Sequence, residues 1–192
     1  MIIVLFAVLL LGACDGASGT FLFLHLKNLG ASQTVLGTYL FVKKASEIPA
    51  YVISGSIIRK LGHEVVLGVG FVVFGLRFLL YSFVSNPWWA VAIDTLNGYQ
   101  AVTWAATTSY ASISAQDELQ TVAQAIVTTT FCALGDPLGD LVGGQVFDRF
   151  GAVVLFRAFA VSCLIGFILF YLLYICFGSK KNSGENMLTD SG

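Results

Sequence analysis

The sequence predicts an all-α membrane protein with six transmembrane helices arranged as a 3+3 inverted repeat. Three observations predict it. Six apolar stretches, roughly residues 2–25, 34–57, 65–84, 88–111, 120–147 and 151–177, fill the 192-residue chain almost end to end. Each can cross a hydrocarbon core about 30 Å thick at about 1.5 Å of rise per residue. Composition agrees, since 57% hydrophobic residues, 11% charged residues and a mean hydropathy of +0.84 lie outside the range of a soluble domain. The third observation is internal. Gly55 to Gly62 (GSIIRKLG) aligns with Gly144 to Gly151 (GQVFDRFG) at an offset of 89 residues, and the same offset carries Glu47 onto Asp136. That offset is three helices, and an odd number of crossings inverts the second copy relative to the first.

The elements follow in order. Within the first stretch, Leu11-Gly12-Ala13-Cys14 resembles a lipoprotein cleavage box, but no basic residue precedes the apolar run and the run continues through Leu24. It therefore reads as a span and not as a leader. Turn chemistry at Lys27-Asn28-Leu29-Gly30-Ala31-Ser32 closes it, and Arg59-Lys60-Leu61-Gly62-His63 closes the second. Ser85-Asn86-Pro87 separates the third from the fourth, Ser114 to Glu118 the fourth from the fifth, and Asp148-Arg149-Phe150-Gly151 the fifth from the sixth. Residues 178–192 are polar and read as an unstructured cytoplasmic tail. Arg59, Lys60, Lys180 and Lys181 fall on one side and Lys27 and Arg149 on the other, which places both termini in the cytoplasm, with the plasma membrane as the expected location.

Nine charges sit inside the spans: Asp15, Lys43, Lys44, Glu47, Arg77, Asp94, Asp136, Asp140 and Arg157. Each costs roughly 2.5–3.5 kcal/mol at mid-membrane, so each needs a reason. Depth supplies one for six of them. Arg77 and Asp94 both sit about 10 Å below the outer surface at about 1.5 Å per residue, joined by a short turn. Asp140 and Arg157 match across the last hairpin, and Asp15 and Lys43 across the first. Arg157 also has the length to snorkel outward.

Glu47 and Asp136 are left over. Glu47 is three residues from Lys44 and four from Lys43, which allows intrahelical pairing. Asp136 lies in Gly135-Asp136-Pro137-Leu138-Gly139-Asp140, where the proline removes a donor and the glycines loosen the helix, so a kink is expected. Broken helices at the midplane line binding sites in carriers, and a carboxylate there is suited to carrying protons. The fourth span, with Asp94, Asn97, Tyr99, Gln100, Thr103, Trp104, Thr107, Thr108 and Tyr110, is too polar to face lipid. Its amides, hydroxyls and rings suit a small polar solute, or equally bonds to neighbouring helices. Asp15, Glu47, Asp94, Asn97, Gln100, Trp104 and Asp136 are thus the expected proton and solute pathway. Lys43, Arg77, Asp140 and Arg157 are expected in structural ion pairs.

Other classes fare poorly. No basic cluster exceeds two residues, so nucleic acid has no support as a partner. Cys14, Cys132, Cys163 and Cys176 lack metal-ligand spacing, so no metal or cofactor is expected. Gly16-Ala17-Ser18-Gly19 resembles an intramembrane serine protease motif, but His25 and His63 lie at span edges where neither can serve as a base. The Asp136/Asp140 pair lacks the flanking glycine of an intramembrane aspartyl protease.

Gly12-Ala13-Cys14, Phe21 to Ser32, Ser46-Glu47-Ile48-Pro49, Leu76-Arg77-Phe78, Asn86-Pro87-Trp88-Trp89, Trp104-Ala105-Ala106 and Gly143-Gly144 with Phe150-Gly151-Ala152 resemble the major facilitator superfamily, and within it the domain-containing protein 6-like branch. The resemblance runs from about residue 12 to residue 160. The loop from Gly55 through Arg59-Lys60 to Gly62 is similar to that superfamily's loop between the second and third helices of a half. The resemblance implies a secondary carrier of twelve spans in two halves, of which these six correspond to the carboxyl-terminal half. It also implies proton-coupled transport of a small polar solute, with an amino-terminal six-helix half, or a second copy of this chain, completing the cavity. A non-transporting receptor or scaffold of the same fold, or an inactive truncated product, are the alternatives the sequence leaves open.

Overall fold

The computed structural model describes residues 2–189, with the side chains of residues 4–173 and 175. The described residues are helical, and no strand occurs among them. In chain order the helices are α1 (Ile2–Asn28), α2 (Gln33–Leu61), α3 (His63–Tyr81), α4 (Pro87–Ile93), α5 (Gly98–Ile113), α6 (Gln120–Thr128) and α7 (Asp136–Thr189). A 3₁₀ turn, Asp94–Asn97, joins α4 to α5, and a π-helical stretch, Thr129–Gly135, joins α6 to α7. α7 bends at Gly151 into two arms, 136–150 and 152–189.

Three segments are long and apolar enough to cross a membrane: Val4–Asn28, His63–Tyr81 and Asp117–Leu173. The last is 57 residues, more than twice one crossing, and contains the bend. α2 is long enough but carries Lys43, Lys44 and Glu47 at its centre. The stretch from α4 to α5 is split by its 3₁₀ turn. Side chains such as Phe41 (73% exposed), Val52 (81%) and Ile48 (68%) stand outward, an apolar surface that water would not tolerate and lipid would.

Local chemistry sets the ends. The Ser32 hydroxyl accepts from Val35 N at 3.4 Å, and Asn86 Oδ1 accepts from Trp88 N at 3.1 Å with Pro87 in the first helical position. The expected turns at 59–63 and 148–151 shrink to single glycines, because Gly62 (φ 83°, ψ 159°) and Gly151 (φ 80°, ψ 174°) adopt the same positive-φ conformation and reverse the chain alone. These two glycines are related by the 89-residue offset. α7 continues as helix to Thr189, through part of the polar tail that composition marks as unstructured, since extending a helix needs no new nucleus. Residues 190–192 of that tail lie outside the described residues.

The predicted break at Asp136-Pro137 is present as the π-helical stretch just before it. Asp136 N–H donates to Phe131 C=O, five residues back, which re-registers the helix ahead of the proline. The 3₁₀ turn in the fourth apolar stretch was not expected. It lies where Gly98 packs so close to α2 that an added Cβ would stand 2.6 Å from Ser46 O.

The main packing is α1 on α7, α3 on α7 and α2 on α5. A large core fills the first two contacts with Leu11, Leu22, Phe71, Phe78, Leu155 and Phe156. A smaller one holds Ala50, Val66, Ala101, Val102 and Ala106 between α2, α3 and α5. The α1–α7 crossing is backbone on backbone. An added Cβ on Gly12 would lie 2.7 Å from Phe131 O, and Cβ atoms on Gly16 or Gly139 would overlap the backbones of Asp136 and Ala13. Small residues four apart on both helices let them approach in this way.

Candidate functional site

The mid-membrane charges fall into three groups. The first is sealed. Arg77 on α3 (2% exposed) reaches Asp94 (0% exposed), with Arg77 Nη2 donating to Asp94 Oδ1 at 2.7 Å. Tyr81 joins both: its hydroxyl accepts from Arg77 Nε at 3.1 Å and Nη2 at 2.8 Å and donates to Asp94 Oδ1. The guanidinium also lies over the Phe74 and Tyr81 rings at 5.5 and 5.6 Å.

The second group lies where α1 crosses α7. Lys43 Nζ stands 3.9 Å from Asp15 Oδ1, a charge pair without a hydrogen bond. Asp136 packs against Gly16, next to Asp15, and Asp140 follows Gly139, which packs on Ala13, so two further carboxyl groups lie near this crossing. One oxygen on each of these acids is buried with no hydrogen-bond donor. The third expected pair is absent. Asp140 and Arg157 form no ion pair; Arg157 is exposed, with its guanidinium 5.9 Å from the centre of the Phe83 ring. Matching depth fixes how far along a helix a residue sits, but not which way it faces.

The third group opens into a cavity of about 140 Å³. Lys44 Nζ and Asn97 Nδ2 both donate to Glu47 Oε1 at 2.9 Å, and Asn97 Nδ2 also reaches Lys43 O at 3.3 Å. The intrahelical partner of Glu47 is thus Lys44, and Asn97 fixes the carboxylate from across the α2–α5 contact. Lys44, Glu47, Tyr51, Gln100, Trp104 and Phe131 line the cavity, with the Trp104 and Phe131 rings packed edge to face at 5.1 Å. Gln100 Oε1 is buried without a donor. The volume compares with cavities of about 150 Å³ that hold a benzene-sized molecule.

Of the residues expected on a pathway, Glu47, Gln100 and Trp104 line this cavity, and Asn97 holds Glu47 in place. Asp94 is shut inside the Arg77 group, while Asp15 and Asp136 lie together at the α1–α7 crossing. Lys44, Tyr51 and Phe131 line the cavity without having been expected on the pathway, Lys44 having been expected only as an intrahelical partner of Glu47. Tyr51 was within reach, one helical turn beyond Glu47 and two beyond Lys44 on the same face. Phe131 was not, because its contact with Trp104 joins residues far apart in the chain. Ser18 is buried and donates to Asp15 O at 2.9 Å, leaving its hydroxyl committed to its own helix. Among the described residues no group of His, Cys, Asp and Glu has the arrangement of a metal site.

The family model described as the MFS_1 like family matches residues 1–158. Among known proteins, the chain is 26% identical over 167 residues to the major facilitator superfamily domain-containing protein 6-like protein B of Xenopus laevis, covering 86% of this chain and 27% of that protein. It is 30% identical over 172 residues to the corresponding 6-like protein of Mus musculus, covering 88% and 29%. A maltose permease of Geobacillus stearothermophilus is 27% identical over 161 residues, covering 82% and 40%. The chain spans less than a third of the length of the 6-like relatives. The match across most of the chain places it in the MFS_1 like family, as a membrane protein with a transporter-type fold that is similar over that length to the superfamily's 6-like members.

Proposed function

We propose that this chain forms one six-helix half of a secondary solute carrier that moves a small polar solute coupled to protons. The observation that carries the reading is the cavity. An ion pair, an unpartnered amide and an aromatic wall line one space from α2, α5 and the π-helical stretch, which is how a polar molecule is persuaded to leave water. The six spans would be α1, α2, α3, the 87–113 segment, the 117–150 segment and the second arm of α7, with both termini in the cytoplasm of a cell whose plasma membrane holds the protein. The shared conformation of Gly62 and Gly151 supports a 3+3 inverted repeat. A partner half, amino-terminal or a second copy, would close the cavity. Asp15, Asp136 and Asp140 near the α1–α7 crossing, with Lys43 beside Asp15 alone, supply the excess of carboxyl groups that proton coupling needs.

The test is uptake into lipid vesicles containing the chain, alone and with an amino-terminal half, under an imposed proton gradient. Maltose, glucose, uridine and leucine form the starting panel. The expected result is gradient-driven uptake of at least one solute, abolished by Glu47→Gln or Asp136→Asn without loss of insertion. Full insertion with no uptake in any combination sinks the carrier reading and favours a receptor or scaffold of the same fold.

A further inference from the structure

We propose that the cavity beside Lys44 and Glu47 binds an amino-acid-like zwitterion, its ammonium on Glu47 and its carboxylate on Lys44. The assignment rests on the carrier reading for the site and adds the class of solute.

Glu47 Oε1 receives both Lys44 Nζ and Asn97 Nδ2, and among the described residues nothing donates to the carboxylate's other oxygen. The Gln100 side chain lines the same cavity, but its Oε1 is buried and not open to a solute, which leaves the free Glu47 oxygen as the acceptor. An ammonium has three N–H donors and no acceptor, and an open carboxylate oxygen is the partner it needs.

The opposite end of the solute follows from Lys44. Its side chain is 73% exposed against 17% for Glu47, so the ammonium is the mobile member of the pair and the carboxylate the fixed one. Asn97 keeps Glu47 in place when Lys44 moves. Lys44 uses one donor on Glu47 and has two free for a second carboxylate. Entry of a zwitterion therefore exchanges one ion pair for two and leaves no charge unpaired. A solute with net charge would leave one, which is the stronger basis for discrimination. The Trp104 and Phe131 rings form the apolar wall against which a small aliphatic side chain would lie.

The experiment is equilibrium binding of radiolabelled leucine to the full chain in lipid vesicles, with three competitors. Glucose has no charge, leucine amide keeps only the ammonium, and N-acetyl-leucine keeps only the carboxylate. Leucine is expected to bind, and each single-charge analogue to compete at least about tenfold more weakly. Glu47→Gln should weaken leucine by a similar factor. Lys44→Gln should bring leucine amide level with leucine, an effect that general damage to the fold would not produce. As a second readout, Cys132 lines the same cavity, so leucine should slow its alkylation by a maleimide. Equal competition by leucine amide in the unaltered protein, leucine binding unchanged by both substitutions, or no leucine binding at all overturns the proposal. Glucose uptake without leucine binding would overturn it while leaving the carrier reading intact.

Discussion

Two ion pairs in this protein have nearly the same length and opposite surroundings. Arg77 and Asp94 meet at 2.7 Å with side chains 3% and 0% exposed, while Lys44 and Glu47 meet at 2.9 Å with side chains 73% and 17% exposed. The first pair is closed by Tyr81 and roofed by aromatic rings, so neither charge can leave without stranding the other. The second opens into a cavity, and only its carboxylate is held by a third residue. The difference teaches that charge at membrane depth is not by itself a sign of a working site. What separates a strut from a binding group is whether one partner is free to exchange.

The largest effect should come from breaking the closed pair. Arg77→Met leaves Asp94 buried and uncompensated, at a cost of about 3–5 kcal/mol. Thermal unfolding in detergent should show a pronounced loss, and adding Asp94→Leu should recover most of it, because two apolar side chains strand no charge. Failure of the double substitution to recover stability would mean that the pair does more than neutralise itself.

A smaller effect should come from the α1–α7 crossing. Gly139→Val drives a side chain into the Ala13 backbone and should cost about 1–3 kcal/mol in the same unfolding measurement. Gly37→Val, on a glycine with open space around it, is the control and should change little. The smallest effect belongs to the open pair. Glu47→Gln removes an ion pair whose lysine is mostly exposed, so stability should stay within about 1 kcal/mol while solute handling is lost. A stability loss as large as that of Arg77→Met would erase the distinction between the two pairs.

The sequence revealed these groups unevenly, for physical reasons. Arg77 and Asp94 were legible as partners because the short Ser85-Asn86-Pro87 connection fixes their relative depth. The same arithmetic failed for Asp140 and Arg157, since depth says nothing of azimuth and Arg157 points away toward Phe83. The irregularity before Pro137 could be read from the missing amide donor, whereas the 3₁₀ turn at Asp94–Asn97 accompanies close packing of Gly98 on α2, a contact between residues far apart in the chain. Asn97's hold on Glu47 bridges 50 positions and could not be read from spacing. Gly12, Gly16, Gly135 and Gly139 were visible as glycines but not as one crossing. Their meaning depends on which helices meet.

The most direct measurement uses the native cysteines. Cys132 lines the cavity, while Cys14 and Cys163 are buried, with their sulfurs 3.3 Å apart between α1 and the second arm of α7. The protein in membranes would be exposed to a charged, membrane-impermeant thiol reagent and labelling read peptide by peptide. Cys132 should be modified and Cys14 and Cys163 should not, because Cys132 lines the Lys44–Glu47 cavity and the other two sulfurs are buried. An unlabelled Cys132, or labelling of Cys14 at the same rate, would contradict that expectation.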